Sequence, residues 1–575
     1  MKRYWKYIRP YIQYYILGPC FMMMEVVGDV LLPYMLAKII NQGIAERNVV
    51  YIIKIGVIMG FIAVIMAVGG ILGAWFASKA AMNFGADLRM DLFEKIQQFS
   101  FQNIDNFSTG SLITRLTNDI TQIQNMIMMT LRMCLRSPGI LIGAMVMAFV
   151  ISPKLAAIFI IVLPVLAVLI VVIMRRAFPQ FRTLQEKLDA LNSCIQEGLV
   201  GIRLIKSFVR GDYEEMRFEK RNQQLKEANL TAMKTMLLYT PLMTLALNIT
   251  TVVVVWSGGN MIVAGNMQVG DLTAFTNYIV QIMSSLTMLS IAFLNWARAI
   301  ASFRRVGEVL DEKIDLTDEN AKHKDRAVCE GSVEFQNVSF RYYKNSPEWV
   351  IENISFKLEA GKTLGIIGPT GSGKSTLVSM IPRLYDTDEG TVLVDGINVR
   401  DYGLKPLREG IGMVLQNNTL FSGSITENLK WGDEHADEKA VRKAAQNAQA
   451  AGFIDSFKDG YRTRLEQSGN NVSGGQKQRL CIARALLKCP KILILDDSTS
   501  AVDTATERAI REALHSEYKD MTKIIIAQRI RSVMDADEIL VLDNGKTAGF
   551  GTHEQLLADC PVYREIYDVQ NGREE

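Results

Sequence analysis

Net charge is what this sequence has least of: 63 basic against 60 acidic side chains leave +3 over 575 residues. Nucleic-acid binding rests on Lys and Arg set against phosphates, and this balance offers no such excess, so no nucleic-acid partner is expected. Histidine is scarce, at four residues (His323, His435, His515 and His553). The seven cysteines (Cys20, Cys134, Cys194, Cys329, Cys481, Cys489 and Cys560) form no CxxC pair and have no His nearby at metal-ligand spacing. A zinc centre and a disulfide framework therefore find no support, and reduced thiols are expected. The N-terminus lacks a small-residue cleavage site after Lys2, Arg3, Lys6 and Arg9. The apolar stretch that follows is too long for a signal peptide and is expected to stay as a membrane anchor.

What is abundant is apolar sequence. Hydrophobic residues make up 49%, above an average soluble protein, and the length suggests two parts. A hydrocarbon core of roughly 30 Å needs about 20 apolar residues as helix. Such windows recur near 14–39, 52–77, 127–151, 155–174, 237–263 and 273–297, which makes six spans. Short loops at 41–50, 152–154 and 264–271 alternate with long, charged segments of helical pattern at 78–125 and 175–235, so the spans pair into tall hairpins. The only basic residues of the short loops are Arg47 and Lys154. The N-terminus, the long loops (Arg89, Lys95, Arg175, Arg176, Arg203, Lys206) and the segment after the sixth span (Arg298, Arg304, Arg305) are basic. By the positive-inside bias the long loops and both termini are cytoplasmic.

Residues 311–330 are charged and poor in large apolar side chains, as a linker would be. After them the pattern changes to short β-rich runs, VEFQNVSF, TLGIIG, TVLVDG, KILILD, KIIIAQ and EILVLD, separated by helical segments. The expected fold is thus an α-helical membrane domain of six long helices over 1–310, a linker over 311–330, and an α/β domain over 331–575, whose assignment as a nucleotide-binding domain of the phosphate-loop class rests on the motifs that follow.

The strand TLGII runs into GPTGSGKST at 368–376, and a helix-like segment follows, which is the context the G-x-x-x-x-G-K-S/T pattern requires. Gly368, Thr370, Gly371, Ser372, Gly373 and Thr376 belong to the proposed cradle. In it Gly371 and Gly373 let backbone N–H groups approach phosphates, Lys374 supplies a charge, and Ser375 offers a hydroxyl to Mg²⁺. The strand KILILD ends at Asp496, a carboxylate suited to the Mg²⁺ shell.

Between these two motifs lies VSGGQKQRLCIARAL at 472–486, which resembles the signature of ABC transporters. With six spans ahead of it, the chain resembles a bacterial ABC exporter half-transporter over nearly its whole length. The resemblance implies roles for several further residues. Tyr342 of SFRYY matches the adenine-stacking aromatic, Gln416 of VLQNNTLF the Q-loop residue that reaches the metal and the attacking water, and Asp503 of SAVD the D-loop. Ser473, Gly474, Gly475 and Gln476 would bind the γ-phosphate of an ATP held by another subunit. NFSTGSLITRLTND (106–119) and GIRLIKSFVRGDYEEMRF (201–218) look like the two coupling segments. ATP and Mg²⁺ are the implied cofactors, and the bacterial plasma membrane the implied location.

The chain departs from that family in one place above all. The residue after the Mg²⁺ aspartate is normally the Glu that polarises water, and here it is Asp497; the switch His falls at Gln528. A carboxylate one methylene short is misplaced, and about 1 Å of misplacement can cost on the order of 10²-fold. Gln can donate a hydrogen bond but carries no positive charge. TRLEQSG (463–469) also departs from the TxVGExG of the family, at Glu466 and Gln467. An intact signature beside two altered catalytic positions suggests a heterodimer with a second, non-identical half-transporter. This chain's site would be slow, and its signature would complete the partner's competent one.

Ionisable residues in spans mark cavities or partners. Glu25 and Asp29, four apart in the first span, read equally as an acidic patch for cationic substrates or as a structural pair. Arg132 and Arg136 repeat the spacing in the third span and are expected to snorkel to the inner interface. The sixth span carries Thr276, Asn277, Gln281, Ser284, Ser285, Thr287 and Asn295, a polar stripe expected to line the pathway. Methionines such as Met22, Met126 and Met129 suit a small lipophilic substrate, or simply face lipid or core. The leading function is ATP-driven efflux. The alternatives are an ATP-gated regulator or channel subunit and a homodimeric lipid or drug flippase.

Overall fold

The computed structural model describes residues 2–344, 346–497 and 502–570, apart from the side chains of residues 2, 290, 291, 293–295, 297 and 298. Ser500 and Ala501 of the SAVD segment, with the side chains of Asn295 and Arg298, lie outside the described residues. The chain falls into two compact units, Met1–Gln97 with Gly110–Asp311, and Gln98–Thr109 with Glu312–Glu575.

The first unit is helical: α1 (Ile12–Lys38), α2 (Val49–Gln97), α3 (Ile120–Met133), α4 (Arg136–Ile151), α5 (Ile158–Val200), α6 (Gly211–Leu237), α7 (Tyr239–Val263) and α8 (Val269–Asp311). Among the described residues five helical stretches are long and apolar enough to cross a membrane: Trp5–Ile44, Val49–Gln97, Thr109–Ile151, Pro153–Val200 and Gly211–Val263. The expected sixth span falls within α8, part of whose side chains lie outside the described residues. The second and fourth spans run on into the charged segments without a break, so α2 reaches 49 residues and α5 43, far more than a bilayer needs at about 1.5 Å per residue. Large apolar side chains such as Phe61, Ile71, Ile161 and Trp256 stay exposed, as suits helices whose outer surface meets lipid. Against α1, α2 packs closely because Gly73 has no side chain there: a Cβ would come within 2.5 Å of the Met22 Cε and 3.1 Å of the Gly18 carbonyl. Phe159, Phe275, Tyr278 and Ile279 are fully buried between α5, α8 and their neighbours.

The second unit contains a six-stranded sheet and a four-stranded one. Strands β1 (Val333–Phe340), β2 (Ile351–Leu358), β4 (Glu389–Val394) and β5 (Ile397–Asn398) form the antiparallel sheet in the order β2-β1-β4-β5. The larger sheet uses β3 (Thr363–Ile367), β6 (Ile411–Val414), β7 (Ile492–Asp496), β8 (Thr522–Ile526), β9 (Glu538–Asp543) and β10 (Lys546–Gly551), in the order β10-β9-β3-β8-β7-β6. Every pairing in it is parallel except β9 with β10. β7 and β8 are buried along their whole length, which explains why they read as unbroken apolar runs rather than alternating ones.

The short helix Phe101–Asp105 clusters with this second unit. Tyr385 donates its hydroxyl to the Asp105 carboxylate at 3.0 Å, and Asn103 Nδ2 donates to the Lys313 carbonyl at 2.9 Å. Of the first coupling segment, residues 106–109 belong to this unit and 110–119 to the helical one. The second segment forms the short helix Ile202–Ser207 in the helical unit, followed by exposed Phe208 and Val209.

Candidate functional site

Parallel strands bring their C-terminal ends to one edge, where open α/β sheets bind ligands. Here β3, β8, β7 and β6 lie side by side, so one edge receives the phosphate loop after β3, Gln528 after β8, Asp496 and Asp497 at the end of β7, and Gln416 after β6. The register pairs Ile526 with both Ile366 and Asp496. A cleft of about 210 Å³ results, lined by Thr370, Gly371, Gly373, Lys374, Ser375, Thr376, Gln416, Asp496, Asp497 and Gln528, together with Val350 and Ile526.

Its geometry follows from the loop. Gly371 and Gly373 both have φ +88°, a conformation that a side chain disfavours. A Cβ on Gly373 would also lie 2.9 Å from the Val350 carbonyl. Gly373 is the N-cap of helix α9 (Lys374–Ser379), so the loop ends where helical N–H groups begin. Lys374 folds back over the loop, donating to the carbonyls of Gly368 at 2.9 Å and Pro369 at 2.7 Å and to Ser372 Oγ at 3.4 Å. Burial pushes its ammonium below the usual lysine range. An arriving polyphosphate would offer it stronger acceptors than these carbonyls.

Ser375 donates its hydroxyl to Asp496 Oδ1 at 2.9 Å. Burial raises the Asp496 carboxyl, and the Ser375 bond and nearby Lys374 offset part of the rise. A buried carboxylate joined to a hydroxyl at the mouth of a phosphate loop is the hard-oxygen donor set that suits Mg²⁺, and Gln416 lines the same cleft. These residues fit the ion.

Asp497 sits next along at φ +47°, a left-handed conformation that Asp tolerates better than most residues. Its backbone N–H donates to the Ile526 carbonyl at 3.1 Å, and its Oδ2 accepts from Gln528 Nε2 at 2.8 Å. Burial raises this carboxyl too, opposed first by the Gln528 bond. The two altered positions are thus direct partners. Sequence reasoning had no signal for what holds Gln528: Gln570, the last residue of α12 (Pro561–Gln570), donates to the Gln528 carbonyl at 2.8 Å and accepts from the Ile530 N–H at 2.8 Å.

Other expected site residues lie outside that cleft. Tyr342 joins its hydroxyl to Thr376 Oγ1 at 2.9 Å, with its ring edge-on to Phe340 and Tyr385 at 5.1 and 5.3 Å. Ser473 caps helix α10 (Gly474–Leu487), accepting from the Gln476 N–H while the Gln476 side chain accepts from the Ser473 N–H, so Gly474 and Gly475 form the first turn. Asp503 caps α11 (Thr504–Glu517), accepting from the Thr506 N–H at 3.0 Å. None of Tyr342, Ser473, Gly474, Gly475, Gln476 or Asp503 lines the 210 Å³ cleft. Glu466 and Gln467 sit in a turn pinned by Asn471, which accepts from the Glu466 N–H at 3.0 Å.

In the helical unit Arg136, expected to snorkel, is held in an ion pair. Its guanidinium donates to Glu25 at 2.8 Å and to Asp29 at 3.5 Å, because two carboxylates on one face of an apolar helix need a counter-charge. Glu25, Arg132 and Arg136 line a cavity of about 610 Å³ with Met22, Met126, Met128, Met129 and Met133. Gln281 donates to the Asp29 carbonyl at 2.8 Å, and Asn277 to the Thr273 carbonyl at 2.9 Å. Much of the α8 stripe bonds back to its own helix: Thr276, Ser285 and Thr287 donate to the carbonyls of Thr273, Gln281 and Met283.

Residues 15–286 match the ABC transporter transmembrane region family, and residues 351–500 match the ABC transporter family. The chain is 39% identical over 574 residues to the uncharacterized ABC transporter ATP-binding protein YfiB of Bacillus subtilis (strain 168), covering 100% of this chain and 99% of that protein. It is 33% identical over 584 residues to YgaD of the same organism, provisionally named a multidrug export ATP-binding/permease protein, with 99% of both covered. A bacterial Atm1-family ABC exporter solved with ATP bound shares the fold at a TM-score of 0.81 and 24% identity, over 98% of each chain.

Proposed function

Because the chain belongs to the ABC transporter family, with an exporter's membrane half and nucleotide-binding half in one polypeptide, we propose that it is one subunit of an ATP-driven exporter whose own site binds Mg²⁺-ATP but hydrolyses it slowly. The observation that carries this is the Gln528–Asp497 hydrogen bond in the cleft that also holds Lys374, Ser375 and Asp496. Binding groups are retained there, whereas the water-orienting carboxylate is one methylene short and the switch side chain carries no charge.

Lys374 and the loop N–H groups would hold the β- and γ-phosphates, and Tyr342 would support the adenine from beyond the cleft. Ser375, Asp496 and Gln416 would hold Mg²⁺, which supplies positive charge against the phosphate oxygens when bound. Asp497 would accept a hydrogen bond from water at the γ-phosphate, with Gln528 donating nearby. Ser473, Gly474, Gly475 and Gln476, capped on α10 and outside the cleft, would complete the site of a second, non-identical half-transporter, with Asp503 beside it.

The multi-pass helical half is proposed to lie in a bacterial plasma membrane with both termini in the cytoplasm. Its Met-lined cavity and the provisional name of YgaD support lipophilic or amphipathic compounds as cargo. Glu25 would line the route, and Asp29, Gln281 and Asn277 would shape it. ATP binding would draw two cassettes together and switch the helical halves between inward- and outward-facing states.

The test is co-purification with candidate half-transporters followed by substrate-stimulated Mg²⁺-ATPase assay. Turnover that appears only in the mixed complex, and there responds to lipophilic compounds, is expected. Equal turnover by this chain alone would overturn the division of labour.

A further inference from the structure

We propose that the nucleotide-binding unit carries a second anion site, for a small phosphate-bearing ligand, between α11, β8 and the segment that follows Gln528. A cavity of about 790 Å³ lies there, lined among others by Arg508, Arg511 and His515 of α11, by Lys523 of β8, and by Arg531 and Asp535. It shares no residue with the phosphate-loop cleft. The volume is within the roughly 300–1,000 Å³ of small-molecule sites.

Lys523 is the central observation. It stands mid-strand, in register with Thr363 of β3, and on the same face of β8 as Ile525; all three line the cavity. Only 5% of the residue is exposed. Among the described residues its ammonium forms no ion pair and makes a single hydrogen bond, to the Met521 carbonyl at 2.9 Å. An ammonium has three donors, and burying one without a counter-ion is costly. Burial depresses its basicity, and the more distant Asp537 and Asp520 offset only part of this.

A second buried donor lies in the same wall. Arg511 Nε is buried without a hydrogen-bond partner, although its NH1 donates to the Arg531 carbonyl at 2.5 Å and lies 3.5 Å from Asp535. Arg508 is already paired with Glu512 at 2.9 Å. Arg508 and Arg511 each lie beside a carboxylate of the lining, Glu512 and Asp535, whereas Lys523 has none within ion-pair distance among the described residues. An anion supplies that counter-charge, and phosphate suits the fork of Arg511 and the point charge of Lys523 together.

The location gives the site a consequence. α11 starts directly after Asp503, and Arg531 lies three residues beyond Gln528. A bound phosphate would tie these two segments together and restrain the switch position without touching the nucleotide.

The experiment uses the full chain in nanodiscs, with the phosphate loop saturated by a non-hydrolysable ATP analogue and pyrophosphate as the probe. Calorimetry is expected to give one equivalent of pyrophosphate, and mass spectrometry to show Lys523 acylated at least tenfold more slowly when it is present. Lys523→Met should weaken binding at least tenfold, and Lys523→Thr serves if the methionine variant does not fold. In Lys374→Ala, without the analogue, one equivalent should remain. No binding beside the analogue, or binding lost in Lys374→Ala but unchanged in the Lys523 variants, would overturn the proposal.

Discussion

Gln528 Nε2 donates to Asp497 Oδ2 at 2.8 Å, so the two hydrolytic positions that depart from the exporter pattern are bonded to one another. Groups in direct contact respond to mutation jointly, with interaction energies of about 0.5–3 kcal/mol. Asp497→Glu alone is expected to gain little, because it puts Glu at φ +47° and leaves Gln528 uncharged. Gln528→His alone leaves the carboxylate short. The double variant should hydrolyse ATP faster than the product of the two single gains predicts. Single-turnover phosphate release from all four proteins measures this, and strictly additive gains would show that the pair does not act as a unit.

Asp496 sets a pH dependence. Burial raises its carboxyl above the usual aspartate range, so the folded state disfavours its charge. The stability this group contributes is full below the ordinary carboxylate pKa and is lost as pH rises through the raised value. Without nucleotide, Asp496→Asn should melt higher at neutral pH and show a flatter pH profile in the acid range. It should also lose the Mg²⁺-dependent stabilisation by ATP, about 2.7 kcal/mol at a hundredfold excess over Kd. Thermal melts from pH 4 to 8 with and without Mg²⁺-ATP decide this; an unchanged Mg²⁺ shift would remove Asp496 from the metal shell.

Arg136 holds Glu25 and Asp29 together across α1 and α4. Arg136→Met leaves both carboxylates without a counter-charge and should destabilise the helical unit by about 2 kcal/mol. That is less than the 3–5 kcal/mol of a fully buried pair, because all three side chains keep some exposure. Glu25→Gln/Asp29→Asn in the same background should recover most of the loss. Melting in detergent reads both, and the absence of recovery would show that Arg136 acts through packing.

Ser473 is the N-cap of α10. Ser473→Ala removes a cap worth about 1 kcal/mol. It should lower turnover of a mixed complex while leaving ATP binding by this chain unchanged. Ser473→Asp keeps the cap but sets a negative charge against a γ-phosphate, so it should impair turnover at least as strongly. Turnover recovered by the Asp variant would assign Ser473 a capping role only.

Much of this was legible because it is local. The phosphate loop, β7 ending in Asp496, and the VSGGQ signature each fit in a short window. The changed pair at 497 and 528 stands out only against the pattern of the family that the chain resembles. What could not be read joins residues distant in sequence. Arg136 meets Glu25 from 111 residues away and Gln570 meets Gln528 from 42, and neither partner carries a pattern that names the other. The pairing of Arg136 went unread for that reason: helix spacing shows which residues share a face but not which helix lies opposite. The polar stripe of α8 is satisfied in part locally, Thr276, Ser285 and Thr287 donating to carbonyls of their own helix.

The most direct measurement is nucleotide occlusion by the purified chain alone. In nanodiscs with excess Mg²⁺ and radiolabelled ATP, the protein should retain about one intact ATP per chain and release phosphate only slowly, roughly 10²-fold below a mixed complex. Rapid release of phosphate by the chain alone, matching the mixed complex, would contradict it.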